Sequence, residues 1–389
     1  MAVVLSGGGA RGAYEVGVLS YVYDDLARAL GRVPPIDILC GTSVGAINAC
    51  ILASHMSDPV TGVRRLVDLW TSVRFENMVR FTPAQMLQLP RLFRGGTRPS
   101  GIFDARPLVD LITREITWRR VARAVRHGLL RAISVSATEI ATGRTVHFVD
   151  TNPDASLPGS SSERQLVLRG AVGPQHALAS ASIPLLFPPV RIGSTLYCDG
   201  GLRQNTPIWP ALRLGAERIL VVGLSQEVRG AAASEDRLDD PLRTPGAPFF
   251  LGKLLNAFLL DHVQADLDLL NRINRLLRDG ETAFGPDFAE KISAVAHGRG
   301  RPGWRRVDSL VVRPSQDIGR LAGEHLRKGG LRASVLTRRL LALLDPVQTE
   351  EADLWSYLLF DGSFARKLID LGRADAAAQR ERLQAFLAD

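Results

Sequence analysis

Cysteine is scarce in this 389-residue sequence, and long apolar runs are missing from it. The three cysteines, Cys40, Cys50 and Cys198, have neither CxxC nor metal-type spacing. This excludes a disulfide framework and a zinc site built on thiolates, and it fits a reducing compartment. No stretch approaches the roughly 18 apolar residues that suggest a membrane-spanning helix, and the opening run 2–5 is too short for a secretory signal. We therefore expect a cytoplasmic protein that is, at most, peripheral to the inner face of the membrane.

Lysine is also scarce. Of 48 basic residues, set against 40 acidic ones for a formal charge of +8, only four are lysines. Arginine suits phosphate contact because its guanidinium is a planar fork of donors. Genomic base composition would produce the same bias, and a basic surface would suit nucleic acid or an anionic membrane equally well. Composition alone does not choose among these explanations.

The order of apolar segments predicts an α/β fold. Residues 2–5 form a short apolar strand, followed by a glycine loop and a helix over 13–30, and a second such unit covers 36–53. Two consecutive strand-loop-helix units imply a mostly parallel sheet with helices on both faces. We predict a three-layer α/β/α domain over 1–225, a helical insertion or linker over 226–306, and a late strand with C-terminal helices over 307–389. Further predictions are a basic helix over 108–130, hairpins over 131–148 and 191–196, and a long amphipathic helix over about 250–277.

The strongest chemical signal is a G-x-S-x-G motif at residues 41–45. Gly41 and Gly45 flank Ser43, where they remove the Cβ clashes of a sharp strand-to-helix turn. Such a turn lifts the serine hydroxyl to the start of a helix, where the dipole favours developing negative charge. The pattern alone occurs easily by chance, but a strand directly before it and an apolar helix directly after it provide the context of a nucleophile.

A glycine-rich loop supplies the second signal. It comprises Gly7, Gly8, Gly9, Ala10, Arg11 and Gly12. Bare backbone N–H groups in such a loop can bind an anion, so the loop can form the oxyanion hole for a serine nucleophile. The same glycines match the dinucleotide fingerprint, but the acidic residue that this fingerprint expects at the end of the second strand is missing.

The third signal is Asp199-Gly200-Gly201, which is also a common turn sequence. A nucleophilic serine needs a base, and none of the seven histidines is well placed, His176 being the best of them. An aspartate can act as the base when partial burial raises its proton affinity.

Taken together, these three motifs resemble the patatin-like phospholipase family. In that family the glycine loop forms the oxyanion hole, the elbow serine is the nucleophile and the aspartate completes a Ser–Asp dyad. Residues 179–188 resemble the family segment A-S-x-A-x-P-x-x-F-P, and 205–207 follow the aspartate at the family's usual distance. The resemblance implies that Ser43 and Asp199 hydrolyse phospholipid or lysophospholipid esters through an acyl-enzyme, without metal or cofactor.

Several interpretations stay open at this point. A nicotinamide- or flavin-dependent enzyme and a catalytically idle lipid-binding or regulatory protein are alternatives to the hydrolase. Arg11 could contact a phosphate head group or anchor its own loop. The arginines of 114–131 could dock on anionic lipid or form a solvated face, while no motif supports nucleic-acid binding. Residues 72–104 could cover the acyl-chain cleft as a lid or be a packed loop.

Overall fold

Buried apolar strands form one central sheet. The computed structural model describes residues 1–78, 101–152, 164–226, 252–253, 256, 263–298, 303–330 and 352–388. Within these ranges the strands are β1 (Ala2–Leu5), β2 (Ile38–Thr42), β3 (Ala132–Glu139), β4 (Thr145–Thr151), β5 (Gln165–Arg169), β6 (Val190–Ile192), β7 (Thr195–Asp199), β8 (Arg218–Val222) and β9 (Asp308–Val312).

Helices cover this sheet. They are α1 (Ala13–Ser20), α2 (Ala27–Leu30), α3 (Val44–Ala53), α4 (Pro59–Ser72), α5 (Phe75–Met78), α6 (Arg106–Glu115), α7 (Trp118–Arg126), α8 (Pro174–Ser180), α9 (Ile208–Arg213), α10 (Val263–Phe284), α11 (Phe288–Gly298), α12 (Ile318–Arg327), α13 (Asp353–Leu358), α14 (Gly362–Ala378) and α15 (Arg380–Ala388). A π-helical segment, Tyr21–Leu26, joins α1 to α2, and short 3₁₀ turns lie at Gly9–Gly12 and Gly200–Leu202.

The main path of the sheet has the strand order β5-β4-β3-β2-β1-β8-β9. Strands β3, β2, β1, β8 and β9 run parallel to one another, whereas β4 and β7 pair antiparallel with β3. Side chains of β1 alternate between two apolar cores, with Val3 and Leu5 in one and Ala2 and Val4 in the other. Both faces of the sheet are therefore buried, and the predicted mostly parallel α/β fold is confirmed.

Several predicted elements differ in detail from those observed. The helix predicted over 108–130 is two helices, because the backbone is extended at Ile116, with ψ of 117°, between α6 and α7. Of the helix predicted over about 250–277, the described residues 252, 253 and 256 are helical, and α10 continues from Val263 to Phe284. Strand β5 was not predicted; three of its side chains are half-buried and two are exposed, so its apolar pattern is weak.

The C-terminal part of the chain joins the same sheet and core. Strand β9 pairs parallel with β8, so that Leu220 lies opposite Leu310. Helix α14 approaches α1 closely through two glycines. A Cβ on Gly17 would lie 2.2 Å from the Ile369 carbonyl oxygen, and a Cβ on Gly372 would lie 2.3 Å from that of Tyr14. The backbones can approach this closely only because neither position carries a side chain.

Candidate active site

Ser43 occupies a sharp turn between a buried strand and a buried helix. Strand β2 ends one residue before it and α3 begins one residue after it, and its backbone lies at φ 54° and ψ −124°. Positive φ is rare for a residue with a side chain and commonly marks a functional position. Neither flanking glycine has room for a side chain. A Cβ on Gly41 would lie 2.4 Å from the Gly45 carbonyl oxygen, and a Cβ on Gly45 would lie 2.5 Å from the Leu5 carbonyl oxygen.

Asp199 meets Ser43 from the end of β7. Its side chain is buried, and its Oδ1 accepts a hydrogen bond of 2.7 Å from the Gly201 N–H. The Ser43 hydroxyl lies close enough to interact with this carboxylate. Oδ2 nevertheless has no hydrogen bond of ordinary geometry within the described ranges. The two side chains therefore face each other in a contact looser than a closed hydrogen bond.

The surroundings of Asp199 give it the proton affinity that a base requires. Burial raises the pKa of its carboxyl from 3.8 to about 7, and the nearby Ser43 hydroxyl and Gly201 N–H, which favour the charged form, oppose this rise. Burial penalises the charged form of a carboxyl, whereas hydrogen-bond donors favour it. A carboxylate with a pKa near neutrality can both accept and return a proton at physiological pH.

The glycine loop presents some of its N–H groups to the site and uses others itself. The Gly7 N–H donates to the Asn205 carbonyl at 3.0 Å, and the Arg11 N–H donates to the Gly8 carbonyl at 3.1 Å. In this structure the Gly7 and Arg11 N–H groups are thus occupied by carbonyls of the protein itself. The Gly8 and Gly9 N–H groups have no hydrogen-bond partner in the part of the chain that the structure describes.

A mostly apolar cavity opens beside Ser43. Its wall includes Gly9 from the glycine loop and Val44 at the start of α3. The rest of the lining combines side chains from across the sequence, including Ile47, Leu69, Trp70, Val73, Met78, Leu108, Leu111, Ile183, Phe187, Tyr357, Leu358 and Phe360. A chain of methylene groups would be stabilised here at roughly 0.8 kcal/mol for each buried CH₂.

Residues 3–212 match the family model described as patatin-like phospholipase, which is more than half of the chain. The chain belongs to the patatin-like phospholipase family. The glycine loop, Ser43 and Asp199 all lie within the matched region. The family assignment therefore favours a hydrolytic role for the glycine loop over a dinucleotide-binding one.

Curated relatives match part of this chain. It is 29% identical over 220 residues to a cGAMP-activated phospholipase of Escherichia coli (strain TW11681), covering 54% of this chain and 53% of that protein. It is 23% identical over 218 residues to the probable lipid hydrolase 463L of Invertebrate iridescent virus 6, covering 54% and 63% respectively. The chain thus spans about half the length of the first of these relatives.

Among solved structures, VipD from Legionella pneumophila is 14% identical to this chain. The alignment covers 95% of this chain and 66% of VipD, with a TM-score of 0.31. A likeness this low adds nothing on function.

Arg11 anchors its own loop in this family member. Its side chain is buried, donates from Nε to Ser356 Oγ at 2.7 Å, and lies 3.4 Å from Asp353 Oδ1. The guanidinium also sits 4.2 Å from the centre of the Tyr357 ring. Because these groups occupy the guanidinium, the structure supports the anchoring role and not contact with a phosphate head group.

Other residues of the predicted motifs shape the loop and the turn. A Cβ on Gly9, which has φ 55°, would lie 2.2 Å from the Tyr357 carbonyl oxygen. Gly12 lies against the Val44 side chain, and Ala10, which follows Gly9 in the loop, is buried. These positions fix the path of the loop in addition to any role in binding an anion.

The two best-placed histidines have structural partners. His176 Nδ1 accepts from the Gly173 N–H at 2.9 Å, and its ring packs on Phe148. His147 Nδ1 lies 2.9 Å from Ser136 Oγ, and burial lowers the pKa of this imidazole to about 4. Neither ring is hydrogen-bonded to Ser43 or Asp199 within the described residues. Asp199 is therefore the base candidate that the geometry favours.

Glu15 was missed from the sequence, although it is buried behind the cavity. Asn48 donates from Nδ2 to Glu15 Oε2 at 2.9 Å and accepts from Trp70 Nε1 at 3.0 Å. Burial raises the pKa of the Glu15 carboxyl well above its ordinary value, and the hydrogen bond from Asn48 partly opposes this rise. The available signal was a pair of polar residues inside otherwise apolar helical segments.

The remaining predicted site features fall into three groups. Helix α7 carries exposed arginines at 119, 120, 123 and 126, while Val121 and Val125 are buried. Within the described ranges, no cluster of three His, Cys, Asp or Glu side chains could hold a metal ion, and no helix is long and apolar enough to cross a membrane. Of the predicted lid over 72–104, residues 79–100 lie outside the described residues, whereas Val73 and Met78 line the cavity.

Proposed function

We propose that this protein hydrolyses carboxylic esters of phospholipids or lysophospholipids, with Ser43 as nucleophile and Asp199 as base. The observation that carries the proposal is the proximity of a strained serine, which lines an apolar cavity, to a buried carboxylate. Family membership and the lipid hydrolases among the relatives support the same substrate class.

The reaction begins with acylation. Asp199 accepts the proton of the Ser43 hydroxyl while Oγ forms a bond to the ester carbonyl carbon. The carbonyl electron pair moves to oxygen, where the N–H groups of Gly8 and Gly9 can stabilise it together with that of Val44, the first residue of α3. Collapse of this intermediate breaks the bond to the alcohol, which leaves with the proton from Asp199.

Deacylation repeats these steps with water as the nucleophile. Asp199 accepts a proton from the water as its oxygen bonds to the acyl carbon. Breaking the acyl–Oγ bond then returns this proton to Ser43 and releases the fatty acid. The same carboxylate serves both half-reactions, and a pKa near 7 suits it to both directions of proton transfer.

The apolar cavity supports a lipid as the acyl donor. Trp70 and Phe360 stack at 6.1 Å in its wall, and Leu108 and Leu111 add an aliphatic side. A polar acyl group would lose its hydration here without gaining partners. We therefore expect long-chain esters to be better substrates than acetyl esters.

The test compares the native protein with Ser43→Ala and Asp199→Asn. Each variant should release fatty acid from phospholipid vesicles and lysophospholipid micelles at a rate at least about 10³-fold lower, while keeping the native circular dichroism. Assays run with and without cGAMP, because a relative is named for activation by that nucleotide.

A fluorophosphonate probe followed by peptide mass spectrometry provides the second readout. The probe should label Ser43 in the native protein and fail to label Ser43→Ala. Unchanged hydrolysis by Ser43→Ala would refute the nucleophile, and full activity in Asp199→Asn would refute the dyad. Absence of both labelling and hydrolysis in the native protein, with and without cGAMP, would favour an idle lipid-binding protein.

We also propose peripheral contact with anionic membranes through the exposed arginines of α7. Four positive charges on one exposed face would each contribute roughly 1 kcal/mol near an anionic surface. Sedimentation with anionic vesicles should weaken in the double variant Arg119→Glu/Arg123→Glu, whereas sedimentation with zwitterionic vesicles should not change. Equal binding of the native and variant proteins to anionic vesicles would refute this contact.

A further inference from the structure

Ser180 contacts the backbone of the candidate nucleophile from a distant part of the chain. It is the last residue of α8, and its side chain is completely buried. Its Oγ accepts a hydrogen bond of 2.8 Å from the Ser43 N–H and donates one of 2.6 Å to the Ser136 carbonyl oxygen. One hydroxyl thus joins the turn after β2 to the middle of β3.

The backbone of Ser43 needs this partner because of its conformation. With φ at 54°, Ser43 lies outside both the β2 ladder and the α3 helix, so neither supplies an acceptor for its N–H. A buried N–H without an acceptor costs about 1–3 kcal/mol. The hydroxyl of Ser180 satisfies that N–H and at the same time limits how far the turn can move.

The other end of the bridge leads to Asp199. The Ser136 carbonyl oxygen that accepts from Ser180 lies against Gly200, where a Cβ would be only 2.4 Å away from it. One residue further along β3, Ala137 is in register with Asp199. Strand β3 therefore holds the aspartate on one side and, through Ser180, the serine on the other.

We infer that Ser180 is a positioning residue that sets the spacing between Ser43 and Asp199. The inference rests on the proposed function, since it concerns the same pair of side chains. Ser180 does not touch the reacting atoms, so its loss should act on the rate of the chemical step and not on substrate binding. Misplacement of a reacting group by about 1 Å can cost about 10²-fold in rate.

The chain offers a matched control two residues away. Ser182 is also buried and donates to a backbone carbonyl, that of Leu178 at 2.7 Å, but its hydroxyl does not contact Ser43. Ser180→Ala should lower kcat by about 10- to 100-fold with KM changed less than about threefold, whereas Ser182→Ala should leave kcat within about threefold of native. Equal kcat values for the two variants would overturn the inference.

A second pair of variants separates the hydroxyl from the shape of the side chain. Ser180→Thr and Ser180→Val have nearly the same volume, but only threonine keeps the hydroxyl. The threonine variant should turn over at least about tenfold faster than the valine variant and react faster with the fluorophosphonate probe. Equal turnover and labelling of the two would overturn the inference, even if both fold less stably than native.

The outcome for the proposed function can be read independently. Activity that survives in Ser43→Ala would refute the nucleophile, and the inference on Ser180 would fall with it. An inactive Ser43→Ala together with indistinguishable Ser180→Ala and Ser182→Ala would refute only the positioning role.

Discussion

The N-terminal region, residues 1–226, and the C-terminal region, residues 303–388, contribute to the candidate site in different ways. The first region carries the motifs that a reader of the sequence can recognise, and it supplies Ser43, Asp199 and the glycine loop. The second has no recognisable motif, yet Tyr357, Leu358 and Phe360 form part of the cavity wall. The candidate catalytic residues thus lie in short recognisable motifs, whereas part of the cavity wall around them comes from residues that belong to no motif.

The two regions meet at the glycine loop. The Tyr357 carbonyl oxygen leaves no room for a side chain on Gly9, and Arg11 reaches out of the loop to Ser356 and Asp353. If this contact merely fills space, changes there should affect stability alone. If the C-terminal region holds the loop in its working shape, the same changes should also affect catalysis.

The largest effect is expected for Gly9→Ala. An alanine would be strained at φ 55°, and its Cβ would clash with the Tyr357 carbonyl oxygen, so the loop must move and activity should fall by about 10²-fold or more. Gly31→Ala is the control, because Gly31 also has positive φ, at 64°, but nothing lies within 4 Å of its Cβ position. That variant should lose about 1 kcal/mol of unfolding free energy and no activity. Similar activity in the two variants would show that the contact between Gly9 and Tyr357 is not needed for catalysis.

Arg11→Ala should cause the next largest change. It removes a buried side chain and a cation beside the Asp353 carboxylate, which Lys253 also approaches at 3.3 Å. We expect a loss of about 3 kcal/mol of unfolding free energy, measured by urea denaturation. The exposed Arg28, which pairs with Asp25, is the control, and its change to alanine should cost less than about 0.5 kcal/mol. Equal costs would show that the loop is not anchored by Arg11.

A smaller effect is expected on the thermal stability of Asp199→Asn, and it should depend on pH. Because the pKa of Asp199 is about 7 in the folded protein and near 3.8 in an unfolded chain, folding binds a proton between these values. The native protein therefore loses stability as the pH rises from about 4 to about 7. Asparagine does not ionise, so the variant should melt a few degrees above native at pH 8 and gain little at pH 4. An equal difference at both pH values would contradict the raised pKa.

The smallest effect is expected for a change at Leu185, which lies in the N-terminal region. Its backbone has φ 70°, and its side chain is 60% exposed, so Leu185→Gly should relieve strain and stabilise the fold by about 0.5 kcal/mol. Leu276 is equally exposed but lies inside α10, where glycine should cost about 1 kcal/mol. Thermal melting should show a higher melting temperature for Leu185→Gly and a lower one for Leu276→Gly than for the native protein. A destabilising Leu185→Gly would refute the strain.

Sequence patterns predicted the sheet because its strands are short apolar runs beside glycine turns. The hairpin turn at Gly193-Ser194 and the elbow at Ser43 could be located because each needs particular residues at particular positions. The catalytic roles of Ser43 and Asp199 stay predictions until the variants are assayed. Their proximity was expected only through resemblance to a family, since nothing local in the sequence links positions so far apart.

Other parts of the site could not be read from the sequence for a physical reason. Glu15 and Tyr357 act through contacts with residues distant in the chain, which no local pattern reports. Ser180 lies in the family segment 179–188, but nothing in that segment indicated its bond to the Ser43 backbone. The break between α6 and α7 was missed because Ile116 is apolar and fits helical periodicity. Local patterns report local geometry, whereas these features depend on tertiary packing.

The close approach of α14 to α1, and the pairing of β9 with β8, bear on how the protein can be produced for study. A chain cut after the region matched by the family model would lack β8 and β9 as well as α14, so it would expose the apolar side of α1 and leave β1 as an open edge strand. Exposed apolar faces and unpaired edges promote aggregation. Attempts to isolate a minimal enzyme by trimming to the matched residues should therefore yield insoluble material, and the useful boundary lies beyond residue 378.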